Sequence, residues 1–408
     1  MIDRVTYRAS MELKQLETLL QGKKIDAVIA MGEDHGSPEQ IARRISKMQV
    51  RDGERYLFDI PRYNLTFFGK ELGQICLEAI DKSKFINGSI VVVGSDGVKE
   101  SVEQWKESLT NDFQFVHQGS NRYENVLLGI RQLKHKGMVY VTAADLPQVT
   151  SMDGVIAELA NYNAETLEEM FKPVNICPIR VEDLLDFWRV PSFFMDDVFL
   201  SNSSEGIITN QGYKEPQFLL LNTAQIDLSR IEKWNPTTKI TWGRFGTLGR
   251  LIFLSCWWAG PIWTYKGIRE LQKSLVATRE FKNRGPPYMY PTKEAGKFSI
   301  LLDYVAHFFG LQREQINIRL GRSKELYMDV DSVEDAYRHA LMMWKEKRPD
   351  EVLTTERLIE AVQYKGTPLL YLNNVRRDIP NVYNFFQNLH EKSKAMAEFS
   401  RKYGVLAR

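Results

Sequence analysis

The chain has 408 residues, 43% hydrophobic and 26% charged, a composition that suits folded globular domains, two or three of them by length. Its 54 basic and 52 acidic side chains nearly cancel, so no charge excess points to nucleic acid. The longest apolar stretch, 251–263, falls short of the about 20 residues that a spanning helix needs.

The start of the chain shows no signal-peptide pattern, and 11–20 reads as an amphipathic helix, so the expected location is the cytoplasm. Cys76, Cys177 and Cys256 are scattered without ligand spacing and read as reduced, structural thiols. Three apolar runs follow, 27–31, 89–93 and 138–142. Continuous runs of this kind suit strands buried on both faces. Helical patterns at 72–83, 100–109 and 124–134 lie between or beside them. The fold class expected is α/β, an open, mostly parallel sheet. Ligands of such sheets sit beyond the carboxyl ends of the strands, which points to the loops after Met31, Val93 and Thr142.

From about residue 160 the pattern is mixed. Segments 192–200 and 217–221 read as strands, 242–275 as an unusually aromatic helix, 283–288 as a loop and 315–320 as a strand. Ser332 caps a helix from Val333, with Asp335 three residues on. The divisions expected are an N-terminal helix (1–24), a core in two parts (25–160 and 296–345), a large α+β insertion (161–295) and a helical C-terminal extension (346–408).

Two acidic motifs carry chemistry. Asp145 lies in Thr142-Ala-Ala-Asp-Leu-Pro147, at the end of an apolar strand that Leu146-Pro147 stops. A carboxylate there can bridge a divalent cation to triphosphate oxygens, or simply begin the next turn. Asp329 and Asp331 flank one valine, which puts both side chains on the same face of an extended segment. They are the natural second source of ligands, although Asp331 can equally open the next helix. Hard oxygen donors of this type suit Mg²⁺.

Taken together, Gly69-Lys-Glu-Leu72, Val91-Val-Val-Gly94, Asn125 on a helix, the Asp145 turn and Asp329-Val-Asp-Ser-Val-Glu-Asp335 resemble the MobA-like nucleotidyltransferases. The resemblance covers 25–160 and 296–345. It implies a GT-A-like, Rossmann-type sheet and transfer of a nucleotidyl group from an NTP to a phosphate- or hydroxyl-bearing acceptor, with release of pyrophosphate. Asp145, Asp329 and Asp331 would then hold Mg²⁺. Arg62 and Lys70, with Arg43, would hold phosphate as the catalytic cations. Ala30, Met31, Gly32, Gly94, Ser120, Asn121 and Asn125 would line the nucleotide, Asn125 either reading a base edge or capping its helix. Lys214, Gln217 and Asn222 would face the acceptor, a small phosphorylated or lipid-like molecule.

The loop at 30–39, Ala-Met-Gly-Glu-Asp-His-Gly-Ser-Pro-Glu, departs from the family's glycine-rich cradle. Glu33 and Asp34 bring negative charge where phosphates belong, and Arg43, Arg44 and Lys47 are the available compensators. The cradle is either rebuilt or no longer binds triphosphate. A GT-A glycosyltransferase and a non-catalytic scaffold relative therefore stay open as alternatives. Trp257, Trp258, Trp263 and Tyr265, near Arg250, Lys266 and Arg269, suit domain core or a homo-oligomer interface, or peripheral membrane contact through 250–269. His35, His117 and His307 read as structural.

Overall fold

The computed structural model describes residues 14–32, 55, 57, 60–119, 122–147, 152–159, 171–176, 179–180, 193–196, 210–214, 218–230, 255–284, 296–318, 327, 329–348, 350–376, 379 and 381–391. A helix at 14–19 packs Leu16 into the core and leads to β1 (Ile25–Ala30). β2 (Leu65–Phe67) and β3 (Lys70–Glu71) form a hairpin, followed by α1 (Leu72–Asp81), β4 (Ile90–Gly94), α2 (Asp96–Trp105) and β5 (Phe113–His117). Then come α3 (Arg122–Gln132), β6 (Met138–Ala143) and α4 (Met152–Leu159). Short strands follow: β7 (Val174–Ile176), β8 (Ile179–Arg180), β9 (Phe193–Asp196), β10 (Asn210–Lys214) and β11 (Phe218–Asn222). The remainder comprises α5 (Pro261–Arg284), α6 (Phe298–Phe309), β12 (Ile316–Ile318), α7 (Val333–Lys347), α8 (Thr355–Ala361), β13 (Val362–Tyr364), β14 (Thr367–Pro368) and a helix over 382–391.

Seven strands make the central sheet, in the order β12-β7-β11-β6-β1-β4-β5. β1 sits between β4 and β6, parallel to both, and β5 extends the parallel set. β11 alone is reversed, antiparallel to β6 and β7. The apolar runs set this order. Ile25, Ala27 and Ile29 enter the larger core with Ile90, Val92 and Tyr140, under α1 and α7. Val28, Val91, Val93, Val139 and Val141 face the other way, onto Ile130 of α3. Each fully buried aliphatic side chain contributes about 1.5–3 kcal/mol, and a one-residue slip would turn both sets to the wrong face. The mostly parallel α/β sheet expected from sequence is thus the observed one.

Some elements differ from the sequence reading. α2 begins four residues earlier than its periodicity, because Ser95 caps it, accepting from Val98 N at 3.4 Å. The stretch 161–295 is not wholly an insertion: β7 and β11 are hydrogen-bonded into the central sheet, while β8, β10 and β9 form a separate three-stranded sheet. The C-terminal extension is helical only in part. Its β13–β14 hairpin pairs with β2 to complete a four-stranded sheet.

At the end of α1, Asp81 ties the helix to the chain entering β5. Its two carboxylate oxygens accept from the Thr110 N and Oγ1 and from the Asn111 N and Nδ2, at 2.8–2.9 Å. Burial works to raise its pKa, but these bonds outweigh it and hold the carboxyl below its ordinary range. A depressed carboxylate contributes stability above the unfolded value near 3.9, lost as pH falls through the folded one. Asp81→Ala should therefore lower unfolding stability by about 2 kcal/mol at pH 7. In urea titrations the gap to wild type should close below pH 4; a gap unchanged at pH 3 would refute the assignment.

Candidate metal centre

The site forms where the parallel strands end. Ala144 N continues the ladder by one bond to Ala30 O (3.2 Å), and Pro147 then ends the extended run. Ala144 and Leu146 are buried on either side, which leaves Asp145 as the polar group of the turn. Beneath it the Cys76 thiol donates to Leu146 O at 3.4 Å. Burial pushes that thiol up to about 12, against the pull of the Leu146 bond and with a further push from Asp145. Cys76 is therefore a neutral packing group, as its sequence context implied.

The second acidic segment docks directly onto this turn. Val330 N donates to Asp145 O at 3.1 Å, and the Val330 side chain is fully buried. The segment is fixed on its other side by Leu57 N to Asp331 O (2.9 Å) and Val333 N to Arg55 O (2.8 Å). Just beyond, Ser332 and Asp335 form the reciprocal cap of α7, at 3.0 and 3.2 Å. Asp335 also pairs with Arg338 at 3.1 Å, so it serves the helix end. This leaves Asp329 and Asp331 on either side of the Val330 anchor. Carboxylate oxygens of Asp145, Asp329 and Asp331 lie within 4.8 Å of one another.

Arg62 spans the cluster. Its Nη1 donates to Asp145 Oδ2 at 3.3 Å and to Asp331 Oδ1. Burial and the neighbouring Asp329 carboxylate push the Asp331 carboxyl well above its ordinary range, the Arg62 guanidinium opposes this, and Asp145 and Asp335 add to it. At Asp331 the Arg62 guanidinium does not offset burial and the neighbouring carboxylates. Three hard oxygen donors so arranged fit a divalent cation such as Mg²⁺.

The nucleotide-side residues fall into groups. Asn125 is buried, accepts from Gly119 N at 2.7 Å and lies against Gly32, where a Cβ would stand 2.7 Å from its Nδ2. Gly32 is therefore a close-approach position, and Asn125 brackets the loops after β1 and β5. Ala30 ends β1, and Met31 N donates to Val93 O at 2.8 Å. Gly94 is required by α2: a Cβ would stand 2.6 Å from that of Val98.

Lys70 goes elsewhere, its ammonium pairing with Glu78 of α1 at 2.6 Å. It sits after a two-residue turn in which Phe68 and Gly69 both have positive φ, of 50° and 87°. Asn222 corrects the acceptor set. It pairs with Met138 at the start of β6, about 13 Å along the strand from Thr142, because β11 runs antiparallel. Lys214 ends β10 in the separate small sheet. Arg43, Ser120, Asn121 and Gln217 lie outside the described residues.

Sequence reasoning missed Arg55. Its backbone N and side chain both donate to Glu334 of α7, and its guanidinium stands 5.6 Å from the Phe385 ring centre. Only the Glu-Asp of the α7 first turn was a signal, and it does not name a partner 279 residues away.

A carboxyl raised in the folded state costs stability as pH climbs from its unfolded value toward its folded one. In chelator, Asp331→Asn should therefore raise the thermal midpoint at pH 8, and the gain should vanish at pH 4. A lower midpoint at pH 8 would mean that the Arg62 pair outweighs the repulsion.

No family model and no curated protein match this chain. Solved structures to which it is similar include a 4-diphosphocytidyl-2C-methyl-D-erythritol synthase from Anaerococcus prevotii, at 10% identity and a TM-score of 0.41, over 80% of this chain and 98% of that one. A nucleotidyl transferase from Methanothermobacter matches at 13% identity and 0.36, over 79% and 99%. The inositol-1-phosphate CTP transferase from T. maritima matches at 12% and 0.31, over 54% of this chain and 76% of its own. Likeness at this level carries no argument about chemistry, which rests on the site itself.

Proposed function

We propose that the chain is a Mg²⁺-dependent nucleotidyltransferase of the MobA-like type. One observation carries the reading: Asp145 converges with Asp329 and Asp331, and Arg62 spans them, at the carboxyl edge of a parallel sheet. Asp145, Asp329 and Asp331 would hold the ion, which when bound neutralises charge on triphosphate oxygens. Arg62 is the cation that can exchange partners: its Nη1 now serves two carboxylates, and its planar fork suits phosphate oxygens equally well. The Gly32–Asn125–Gly119 bracket would fix the loops against which a nucleotide rests.

The reaction is in-line attack of an acceptor oxygen on the α-phosphorus. The new P–O bond forms as the α–β phosphoanhydride breaks, and pyrophosphate leaves. The work of the protein is positioning and electrostatic support of charge on the phosphoryl oxygens, worth several kcal/mol. Lys70, held by Glu78, is a weaker candidate than Arg62 for direct phosphate contact.

With a panel of the four NTPs, Mg²⁺ and one NTP together should raise the thermal midpoint, and that pair should support pyrophosphate release with a matching acceptor. Asp145→Asn should abolish both effects while leaving the circular dichroism unchanged. Wild-type turnover in that variant would sink the proposal. Arg62→Lys keeps the charge and loses the fork, so the KM for the NTP should rise about tenfold with a smaller fall in kcat. Unchanged kinetics would remove Arg62 from the phosphate site.

A further inference from the structure

A second surface, independent of the acidic site, stands out at the corner where a helix over 255–259 meets α5. Gly260, at φ 81°, makes the turn between them. The inner side of this corner is packed against α6. Trp258 stacks edge-on to Phe308 with ring centres 5.0 Å apart, and Trp263 lies on His307 at 4.7 Å. The Ser255 hydroxyl bonds that of Tyr304 at 2.8 Å. Gly267 meets the Tyr304 ring so closely that a Cβ would stand 2.3 Å from it. Half of the aromatic group singled out from sequence is therefore packing.

The other half faces out. Trp257 is 75% exposed, Ile262 68% and Tyr265 67%. Six of the ten large apolar side chains exposed among the described residues fall between Trp257 and Val276. On α5, Ile262, Tyr265, Arg269, Gln272 and Val276 follow the spacing that lines one helical face, with Lys266 beside them, its ammonium 4.9 Å from the Trp263 ring centre. The one carboxylate between 255 and 277, Glu270, is buried, accepting from Lys297 N at 2.8 Å and pairing with Lys273 at 3.5 Å. Within 255–277 the outward face thus combines aromatic and aliphatic groups with cations and no exposed acid.

We propose that this corner docks on an anionic lipid bilayer. Charge decides among the occupants. A two-fold contact through this face would set the cations of one copy's 255–277 stretch against those of the other with no exposed carboxylate from that stretch to pair them, whereas an isologous interface must be self-complementary. A surface of lipid phosphates supplies the missing negative charge to Lys266 and Arg269 at once. Trp257 and Tyr265 present rings with one polar edge, the amphipathic shape that settles at the headgroup boundary, and Ile262 adds apolar depth. Among the described residues no helix is long and apolar enough to cross a membrane, and the contact proposed is one of side chains at the headgroup boundary.

The test is co-sedimentation of the full chain with phosphatidylcholine vesicles, with and without one third phosphatidylglycerol, at low and high salt. The wild type should bind the anionic vesicles only, and release as salt rises. Lys266→Glu and Arg269→Glu should each weaken binding about fivefold or more. Trp257→Ala with Tyr265→Ala should weaken it at least tenfold, with the thermal midpoint retained because both rings are exposed. Absence of wild-type binding to anionic vesicles at low salt overturns the proposal. So does equal binding by wild type and all variants. A concentration-dependent dimer that Trp257→Ala abolishes, without vesicle binding, assigns the face to self-association instead.

Discussion

Holding three carboxylates within 4.8 Å of one another is the constraint around which the ends of the strands are organised. Two like charges about 4 Å apart repel by about 4 kcal/mol near a protein surface, so the cluster cannot assemble unaided. Backbone bonds bring it together. Val330 N grips Asp145 O, Leu57 grips Asp331 O, and the α7 cap fixes the chain immediately beyond. Among the described residues, Arg62 is a cation that bridges the cluster, from Asp145 to Asp331. Fully buried Val330 and Leu146 at 1% exposure set the apolar floor that makes this arrangement rigid.

The same economy of anchoring recurs on the nucleotide side. Asn125 accepts from Gly119 N and packs closely against Gly32, so residues just beyond β1 and β5 meet at one buried side chain. Of the two roles that its sequence left open, base reader or helix cap, the structure adds a third: a bracket between loops. Its packing and its proposed use are compatible, because a side chain already fixed needs no ordering when a ligand arrives.

Much of the sheet was legible in the sequence because its signal is local. Continuous apolar runs marked β1, β4 and β6, and Ser332 with Asp335 marked the start of α7. β5 was missed: Phe-Gln-Phe-Val-His is half-exposed at the sheet edge and lacks the continuous apolar run of its neighbours. The residues of the acidic site were legible as motifs, and the resemblance implied their meeting; what the sequence did not show is the long-range backbone bond, Val330 N to Asp145 O, that joins the two segments. Lys70 and Asn222 were assigned by motif order, which says nothing of where a side chain turns. Strand direction decides Asn222, and Glu78, about two turns along the helix that follows at once, captures Lys70.

The span between Arg62 and Asp331, 269 residues, has a consequence for how the chain comes to be complete. At ribosomal speeds of about 5–20 residues per second, Asp331 emerges roughly 15 to 50 s after Arg62. Arg62 and Asp145 are both available long before it, and can pair while the rest is still being made. The three carboxylates that would hold an ion therefore come together only after the chain has been made as far as the start of α7.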